Sequence, residues 1–418
     1  MISPFSHRAL YAAFDVFPAT KGAAVHIHHM AHTLFSLCQG GMLYVLGHDR
    51  LPSYQREDGI EIFRFSDPIP NFLERVMGFG RRLQGLLEQH AHSLRICHFR
   101  DPWSGVPILT HRDRGYMTVY EMNGLPSIEL PSAYPLLSPQ TLDKIRQAER
   151  LCWTQADSII TPSDTMQQNL VRLGVPASKI TVIPNGASVP TAASRPSHAP
   201  SRYLIYCGAL QSWQGIESLF RAFAYLSDLP GLALVMCSAV QPRKAKPYRK
   251  LAEKLGIADR IHWYFQLPQE TLTGWLSHAA LSIAPLTECA RNLEQGCCPL
   301  KILESMAAGV PVVASDLPSV RELMTDGVHG RLVRPDRPDL LARTIRILLE
   351  YPEQRQAMGQ AAQQRIAQDY TWEQSLDRLA IHYRTLHPEV LTGDTGHSFA
   401  LQPALEGGHE PLGEDSFR

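Results

Sequence analysis

The stretch "CCPLKILESMAAGVPVVASDLP", residues 297–318, places a short helix pattern directly before a short apolar run. Pro299 is suited to begin a helix, Gly309 to end it, and "PVVAS" at 311–315 then has the composition of a buried strand. Lys301 falls in the first turn of this helix, where the backbone dipole already presents its positive end. The stretch therefore predicts a helix-to-strand unit of an α/β fold. It also raises the question of what offsets the charge of Lys301 at the positive end of the helix.

Strand and helix patterns alternate on both sides of this stretch. Amphipathic helix patterns, such as those at 142–156 and 339–351, separate several apolar runs. This alternation predicts two doubly wound domains, each a parallel sheet covered by helices on both faces. Ligands of such sheets bind at the carboxyl ends of the strands, which predicts a site in the cleft between the domains. The predicted strands are 9–14, 42–47, 60–65, 94–99, 116–121 and 158–163, then 203–209, 232–238, 260–265, 281–286, 311–315 and 330–333.

Changes in composition predict the domain boundaries. Residues 188–201, "SVPTAASRPSHAPS", have the composition of a linker between an N-terminal domain at 1–187 and a C-terminal domain at 202–369. A last helix pattern occupies 370–386. The remaining residues, 387–418, are rich in Gly, Pro and acidic residues with little periodicity, which predicts a disordered tail.

Composition and charge argue against several classes of function. Lys plus Arg and Asp plus Glu are both 40, so the formal net charge is zero, unlike that of a nucleic-acid-binding protein with a broad basic surface. The eight cysteines lack the paired spacing of a zinc site and predict buried thiols in a reducing cytoplasm. The histidines at 26, 28, 29 and 32 occupy a helix pattern without acidic residues, which predicts a partly exposed helix rather than a metal site. No apolar stretch approaches the roughly 18 residues of a membrane-spanning helix.

The segment at 71–89 combines apolar residues at helical spacing with three arginines. It has two interpretations: an amphipathic helix packed in the core, which Gly78 and Gly80 would weaken, or a helix that lies in a membrane interface. We favour the core helix. Peripheral contact with the inner face of a membrane remains the alternative to a purely cytoplasmic location.

The opening stretch, extended to "GCCPLKILESMAAGVPVVAS" at 296–315, resembles the signature of the family 4 glycosyltransferases, which are retaining enzymes of the GT-B fold. A branch of the family also has "PLK" before the second Glu of the signature, and this chain is similar to that branch. The resemblance implies two Rossmann-like domains facing across a cleft, with the donor in the second domain and the acceptor in the first. Glu304 matches the second signature Glu, which in the family binds the donor ribose, whereas Gly296 stands in place of the first.

Other matches extend over almost the full chain. "KGAAVHIHHMAHTL" at 21–34 resembles the N-terminal glycine loop and helix of the family, and "ICHFRDPWSG" at 96–105 is similar to the strand that ends in a His. "ADSIITPSDTMQQNLVRLGVPASKITVIPNG" at 156–186 resembles the crossover region. "YTW" at 370–372 is similar to the start of the terminal helix, which in the family packs back on the first domain.

Three departures from the family concern its ligands. Ala209 and Gln214 occupy the places where the family usually has an Arg and a Lys that bind the diphosphate. Asn123, in "YEMNGLPSIELP", occupies the place of a common His, and Asn cannot act as a proton carrier near neutral pH. We therefore predict that Lys301 and Arg291 compensate for the missing cations.

Lys301 and Glu304 lie three residues apart on one helix face and allow two interpretations. They form either a surface ion pair worth ~0.3 kcal/mol or a pair of ligands, with Lys301 on a phosphate at the helix start and Glu304 on a ribose hydroxyl. The alternative for Arg291 is an exposed loop residue. The predicted catalytic residues are Lys301, Arg291 and Asn123; the predicted donor ligands are Gly22, Gly208, Gln214, Gly296, Lys301 and Glu304; the predicted acceptor-side residues are His26, His98 and Glu121.

The resemblance implies transfer of a hexosyl group, with retention, from a UDP- or GDP-linked sugar to a hydroxyl of a glycan or lipid-linked acceptor. It implies polysaccharide or glycolipid assembly and no metal ion or other cofactor. Two alternatives remain: a degenerate member that binds sugar nucleotide or glycan without turnover, and a sugar-nucleotide epimerase of the same fold. A dinucleotide oxidoreductase is disfavoured because no Gly-x-Gly-x-x-Gly follows the first strand of either domain.

Overall fold

Two β-sheets, one in each half of the chain, form the framework of the protein. The computed structural model describes residues 8–19, 22–112 and 114–388. The first sheet has eight strands in the order β3-β4-β2-β1-β5-β6-β7-β8 and is parallel except for the β3–β4 pair. Its strands are β1 (Ala9–Val16), β2 (Gly41–Leu46), β3 (Tyr54–Glu57), β4 (Ile60–Phe65), β5 (Ile96–Phe99), β6 (Met117–Glu121), β7 (Ser158–Thr161) and β8 (Ile180–Val182).

The second sheet has six strands, all parallel, in the order β11-β10-β9-β12-β13-β14. Its strands are β9 (Arg202–Cys207), β10 (Leu232–Ser238), β11 (Ile261–Phe265), β12 (Leu281–Ala284), β13 (Val312–Ser315) and β14 (Gly330–Val333). In both sheets the strand order reverses beside the first strand, as in doubly wound folds. The predicted fold class is confirmed.

Helices cover both faces of each sheet. Those of the first half are α1 (Gly22–Cys38), α2 (Phe72–His90), α3 (Pro102–Thr110), α4 (Pro126–Ala133), α5 (Pro139–Gln155) and α6 (Asp164–Arg172). Those of the second half are α7 (Ile216–Ala224), α8 (Lys246–Lys254), α9 (Gln269–Ser277), α10 (Leu300–Ala307), α11 (Pro318–Arg321), α12 (Pro338–Glu350), α13 (Pro352–Asp369) and α14 (Trp372–Leu386). Short 3₁₀ turns lie at Ala177–Lys179, Ser212–Gln214, Pro242–Ala245 and Ala258–Arg260, and a π-helical turn lies at Arg291–Gln295.

The last helix returns to the first sheet. Leu379, Ala380 and Tyr383 of α14 belong to the same buried cluster as Ile27 and Leu34 of α1. The predicted linker at 188–201 lies between the end of β8 and the start of β9, and the domain boundaries themselves stay a prediction. Residues 389–418 of the predicted tail lie outside the described residues.

The segment predicted as an amphipathic helix is α2, and its apolar face packs in the core. Phe79, Leu83 and Leu87 are fully buried, whereas Met77 is exposed. α2 continues without a break through Gly78 and Gly80, so the glycines do not interrupt it, and their effect on its stability stays a prediction. A Cβ on Gly78 would lie 2.8 Å from the ring of Phe65, so the glycine lets the helix approach the sheet. Among the described residues, no helix is long and apolar enough to cross a membrane.

The four histidines of α1 differ in how far they are exposed. His26 is buried, and the ring of His29 stacks on Trp372 of α14 with 4.1 Å between ring centroids. His28, His29 and His32 are each partly exposed, so the prediction of a partly exposed helix is confirmed for them, and His26 is the exception. No group of three or more His, Cys, Asp or Glu residues within 8–19, 22–112 and 114–388 could hold a metal ion.

This packing predicts a pH dependence of stability that a single substitution can isolate. Burial, and to a smaller extent the charges of neighbouring histidines, lower the pKa of His29 to about 3. Unfolded histidine takes up a proton near pH 6.5 whereas folded His29 does not, so stability falls as the pH drops from about 6.5 towards 4. We expect His29→Phe, which keeps the stacked ring, to remove up to about 1.4 kcal/mol of this loss per pH unit. Urea unfolding of both proteins at pH 7 and pH 5 measures the difference, and equal losses would contradict the prediction.

Candidate active site

A cavity of about 390 Å³ lies between the two sheets, at the carboxyl ends of their strands. Both domains line it. Eight of the predicted site residues are among the lining: Gly22, His26, Arg291, Asn123, Gly208, Gln214, Lys301 and Glu304. Gly296, His98 and Glu121 are not. The predicted cleft is therefore present, and it collects most of the residues that the sequence assigned to it.

Two helix N-termini meet at this cavity, one from each domain. α1 begins at Gly22 and α10 begins at Leu300, and both residues line the cavity. A Cβ built on Gly22 would lie 2.9 Å from Leu300 Cδ1, so the two helix starts are close together. Pro299, the residue that caps α10, makes no side-chain hydrogen bond to its first turn. The positive ends of two helix dipoles favour an anion here.

Lys301 extends into this space from the first turn of α10. Its ammonium donates hydrogen bonds to Tyr206 Oη, at 3.1 Å, and to Gln214 Oε1. It also lies 4.3 Å from the centre of the Tyr206 ring. Burial lowers the pKa of Lys301 to about 7, although nearby Cys207 and Cys297 oppose that shift. The side chain is therefore a partly buried amine with neutral hydrogen-bond partners, and the alternative of a surface ion pair with Glu304 is wrong.

Gly208 provides the room for this ammonium. Its φ is +148°, and a Cβ there would lie 2.8 Å from Lys301 Nζ and 3.0 Å from Lys301 Cε. Gly208 follows directly after β9, at the carboxyl edge of the second sheet. The glycine thus acts on the site by leaving space for Lys301 rather than by supplying a polar side chain.

Glu304 lies one turn farther along α10 and also faces the cavity. Burial raises its pKa to about 7, although a hydrogen bond with Gln269 and the charge of Lys301 oppose the shift. A carboxyl group in this state can accept a hydrogen bond from a hydroxyl group of a ligand. Leu267, Leu272 and the thiols of Cys207 and Cys237 line the same part of the cavity, which gives it an apolar wall.

Arg291 lies in the π-helical turn and is not an exposed loop residue. Its side chain is 19% exposed, and its Nε lies 3.3 Å from Glu129 Oε1 of α4, in the other domain. The guanidinium also faces the Trp213 ring at 5.7 Å. The alternative of an exposed arginine is therefore wrong. Because Glu129 balances much of this charge, a diphosphate contact by Arg291 stays a prediction.

The predicted acceptor-side residues form one buried cluster around Glu121, at the end of β6. Glu121 is 2% exposed. Its Oε2 accepts hydrogen bonds from Tyr11 Oη at 2.7 Å and His98 Nε2 at 2.9 Å. Its Oε1 accepts hydrogen bonds from Arg100 Nε at 2.8 Å and from Asn123 Nδ2. His26 Nδ1 lies 3.0 Å from the same oxygen.

Electrostatics keep Glu121 ionised in this buried place. Burial alone would raise its pKa, but His26 and Arg100 hold that pKa well below the usual value. His98 is different: burial lowers its pKa, and its Nδ1 lies 2.6 Å from Tyr383 Oη of α14. A neutral His98 can donate to Glu121 through Nε2 and accept from Tyr383 through Nδ1. The cluster therefore joins the last helix to the cavity wall.

Sequence reasoning missed Arg100 and Tyr383, which both belong to this cluster. Arg100 comes directly after the end of β5, where ligand-binding residues of parallel sheets lie, and this position could have identified it. Tyr383 is separated from His98 by 285 residues, and no local pattern indicates that contact.

Gly296 is placed differently from the prediction. It lies outside the cavity lining, with a φ of +77°. A Cβ on it would lie 3.1 Å from Met166 N and from Thr165 Cγ2, at the start of α6. The left-handed backbone and the contact with the first domain both explain why glycine occupies this position. Gly296 thus lies outside the cavity lining, and a donor contact there stays a prediction.

Two family models together match most of the chain. Residues 20–189 match "Glycosyltransferase Family 4", and residues 192–365 match "Glycosyl transferases group 1". Among curated proteins, the MMP alpha-(1→4)-mannosyltransferase of Mycolicibacterium hassiacum is 26% identical over 221 residues, which are 52% of this chain and 52% of that protein. The match thus spans about half the length of that relative.

Solved structures match the whole fold. Sucrose-phosphate synthase from Thermosynechococcus elongatus is 18% identical, with a TM-score of 0.74 over 91% of this chain and 99% of that one. Anabaena HepE in complex with UDP and glucose is 17% identical, with a TM-score of 0.69 over 91% of this chain and 100% of that one. These likenesses concern the fold alone, which is GT-B as predicted.

Proposed function

Because this chain belongs to the glycosyltransferases of the GT-B fold, we propose that it moves a hexosyl group from a nucleotide-sugar donor to a hydroxyl acceptor, with retention of anomeric configuration. One observation supports this most: the partly buried Lys301 has neutral hydrogen-bond partners and lies beside two helix N-termini. A diphosphate is the anion that such a site would bind. The positive groups would stabilise the negative charge that develops on the leaving nucleotide.

In the proposed donor complex, the diphosphate lies at the start of α10 and the nucleoside lies towards Glu304. Glu304 is one helical turn from Lys301, so the two side chains are spaced to contact a phosphate and a ribose hydroxyl of the same ligand. The nucleobase would lie against the apolar wall that includes Leu267 and Leu272. Lys301 and the helix ends would supply the positive charge, so we propose that the chemistry uses no metal ion or other cofactor.

The proposed acceptor lies on the first-domain side, near His26, Arg100 and Asn123. Glu304 is the one carboxylate among the described residues that line the cavity, and in this scheme it is occupied by the ribose. A protein nucleophile is therefore not part of the proposal. The acceptor hydroxyl would attack from the face that the nucleotide leaves, and the departing phosphate oxygen would take its proton. Closure of the two domains would exclude water, which competes as an acceptor.

We propose UDP- or GDP-linked donors, and UDP is the first to test because the similar Anabaena HepE structure contains UDP and glucose. A glycan or lipid-linked acceptor in cytoplasmic polysaccharide or glycolipid assembly completes the proposal.

A thermal-shift screen followed by a nucleotide-release assay tests this function. We expect one nucleoside diphosphate, among UDP, GDP and ADP, to raise the melting temperature, and its sugar conjugate to be turned over. Binding without any nucleotide release, with a range of glycan acceptors, would instead identify the degenerate binding protein. Release of free nucleotide with conversion of the sugar, and no acceptor needed, would identify the epimerase. No thermal shift with any nucleotide would contradict the donor site itself.

A further inference from the structure

Gln295 is a buried amide of the second domain, and both of its polar groups contact the first domain. It ends the π-helical turn and is 1% exposed. Its Oε1 accepts a hydrogen bond from the backbone N–H of Leu125 at 2.9 Å, and its Nε2 donates to Glu129 Oε1 at 2.8 Å. An amide can accept and donate at once, whereas a carboxylate only accepts and a hydrocarbon does neither. Glutamine is therefore matched to this contact.

The turn that holds Gln295 is anchored on both sides. Asn292, which is fully buried, donates to the backbone oxygens of Trp213 at 3.0 Å and Thr287 at 2.8 Å, within the second domain. Arg291 and Gln295 both contact Glu129 of the first domain. The π-helical turn is therefore fixed within the second domain and hydrogen-bonded to the first, so it couples the positions of the two domains.

The first-domain segment that Gln295 contacts includes a wall of the cavity. Asn123 lines the cavity and lies two residues before Leu125. Gly124, between them, fits closely: a Cβ there would lie 2.9 Å from Glu129 Oε1 and 3.0 Å from Gln295 Nε2. From the second domain, the cavity is lined by Arg291, the first residue of the π-helical turn, and by Cys297, two residues after its end. Gln295 itself is not part of the lining.

We propose that Gln295 is a positioning residue that holds the first-domain segment 123–125 against the donor cavity. It acts through Leu125 and Glu129 rather than on the substrates. Through this contact it keeps Asn123 at the part of the cavity wall that the first domain supplies. The contact itself is independent of the proposed function, whereas its effect on turnover rests on that function.

Amide hydrogen exchange at Leu125 tests the contact. Gln295→Met keeps the length of the side chain and removes both hydrogen bonds. Gln295→Glu keeps the shape of the side chain but replaces the donating Nε2 by a carboxylate oxygen that faces Glu129. We expect exchange at Leu125 to quicken at least about tenfold in both variants. Gln363→Met is the matched control, because Gln363 donates to Ala307 O at 3.0 Å inside the second domain, and it should leave Leu125 unchanged. Unchanged exchange in both Gln295 variants would overturn the proposal.

Nucleotide release from UDP-glucose, or from the donor that the thermal-shift screen identifies, tests the positioning role. We expect kcat to fall about tenfold or more in Gln295→Met while KM for the donor stays within about threefold, because the variant keeps the donor ligands and loses the alignment of the opposite wall. Faster exchange with an unchanged kcat would overturn the positioning role. If the unmodified protein releases nucleotide from no donor, the proposed function fails. Amide exchange at Leu125 then still decides whether Gln295 holds the segment 123–125.

Discussion

We expect the Lys301→Met protein to lose turnover of its sugar-nucleotide donor by about 100- to 1,000-fold, the loss typical of removing one electrostatic group from a transition-state site. Methionine keeps the length of the side chain and removes its charge. Lys301 is held by Tyr206 and Gln214, which carry no negative charge, so its charge remains available for the departing diphosphate. Arg100 and Arg291 also line the cavity, but Glu121 and Glu129 respectively contact them.

Nucleotide-release kinetics with saturating donor measure this loss. Lys250→Met is the matched control, because Lys250 is exposed on α8 and the substitution is the same. It should leave kcat within about twofold, as expected for a surface change away from the site. A Lys301→Met protein that kept kcat and KM within about threefold of the unmodified protein would show that the leaving group is stabilised elsewhere.

Substitution of Glu121 by glutamine is expected to lower the free energy of unfolding by about 3–5 kcal/mol, the range for breaking a buried ion pair. Glu121 is the shared acceptor of Tyr11, His98 and Arg100, and glutamine would leave the Arg100 charge with Asp15 alone, at 3.3 Å. Because the pKa of Glu121 is held well below its usual value, its contribution is present at neutral pH and is lost as the pH falls below about 4.5.

Urea unfolding at pH 7 measures this loss, and Glu149→Gln provides its control. Glu149 is as buried as Glu121, but it accepts hydrogen bonds from Ser127 N and Ser127 Oγ, both at 2.7 Å, rather than from an arginine. Its substitution should cost about 1–2 kcal/mol, the cost of disturbing buried hydrogen bonds without breaking an ion pair. Equal losses in the two variants would show that the charges around Glu121 contribute nothing beyond ordinary hydrogen bonds.

Sequence periodicity was sufficient to predict the main strands but not the two edge strands of the first sheet, β3 and β8. β3, "YQRE", is polar and antiparallel, and β8, "ITV", is three residues long, so neither has the apolar run on which strand prediction depends. Local patterns also did not explain Gly78 of α2, where the glycine leaves room for the ring of Phe65. Both differences arise from tertiary packing that local patterns do not describe.

The site residues likewise divide into those that local sequence patterns predict and those that depend on tertiary packing. Lys301 and Glu304 could be predicted because their spacing is local to one helix, and the structure places both in the cavity. Gly296 could not be placed, since its surroundings come from α6 of the other domain. Gln295 and Tyr383 were missed because their partners, Leu125 and His98, lie 170 and 285 residues away.

The most direct test of the donor site is the number of protons taken up when a nucleoside diphosphate binds. Titration calorimetry at pH 8, in two buffers with different ionisation enthalpies, measures that number with the nucleotide that the thermal-shift screen selects. Since the pKa of Lys301 is about 7, its amine is mostly neutral at pH 8, and a diphosphate beside it would raise that pKa. We predict uptake of about one proton per nucleotide by the unmodified protein and about none by Lys301→Met. Equal uptake by both proteins would contradict the assignment of Lys301 as the phosphate ligand.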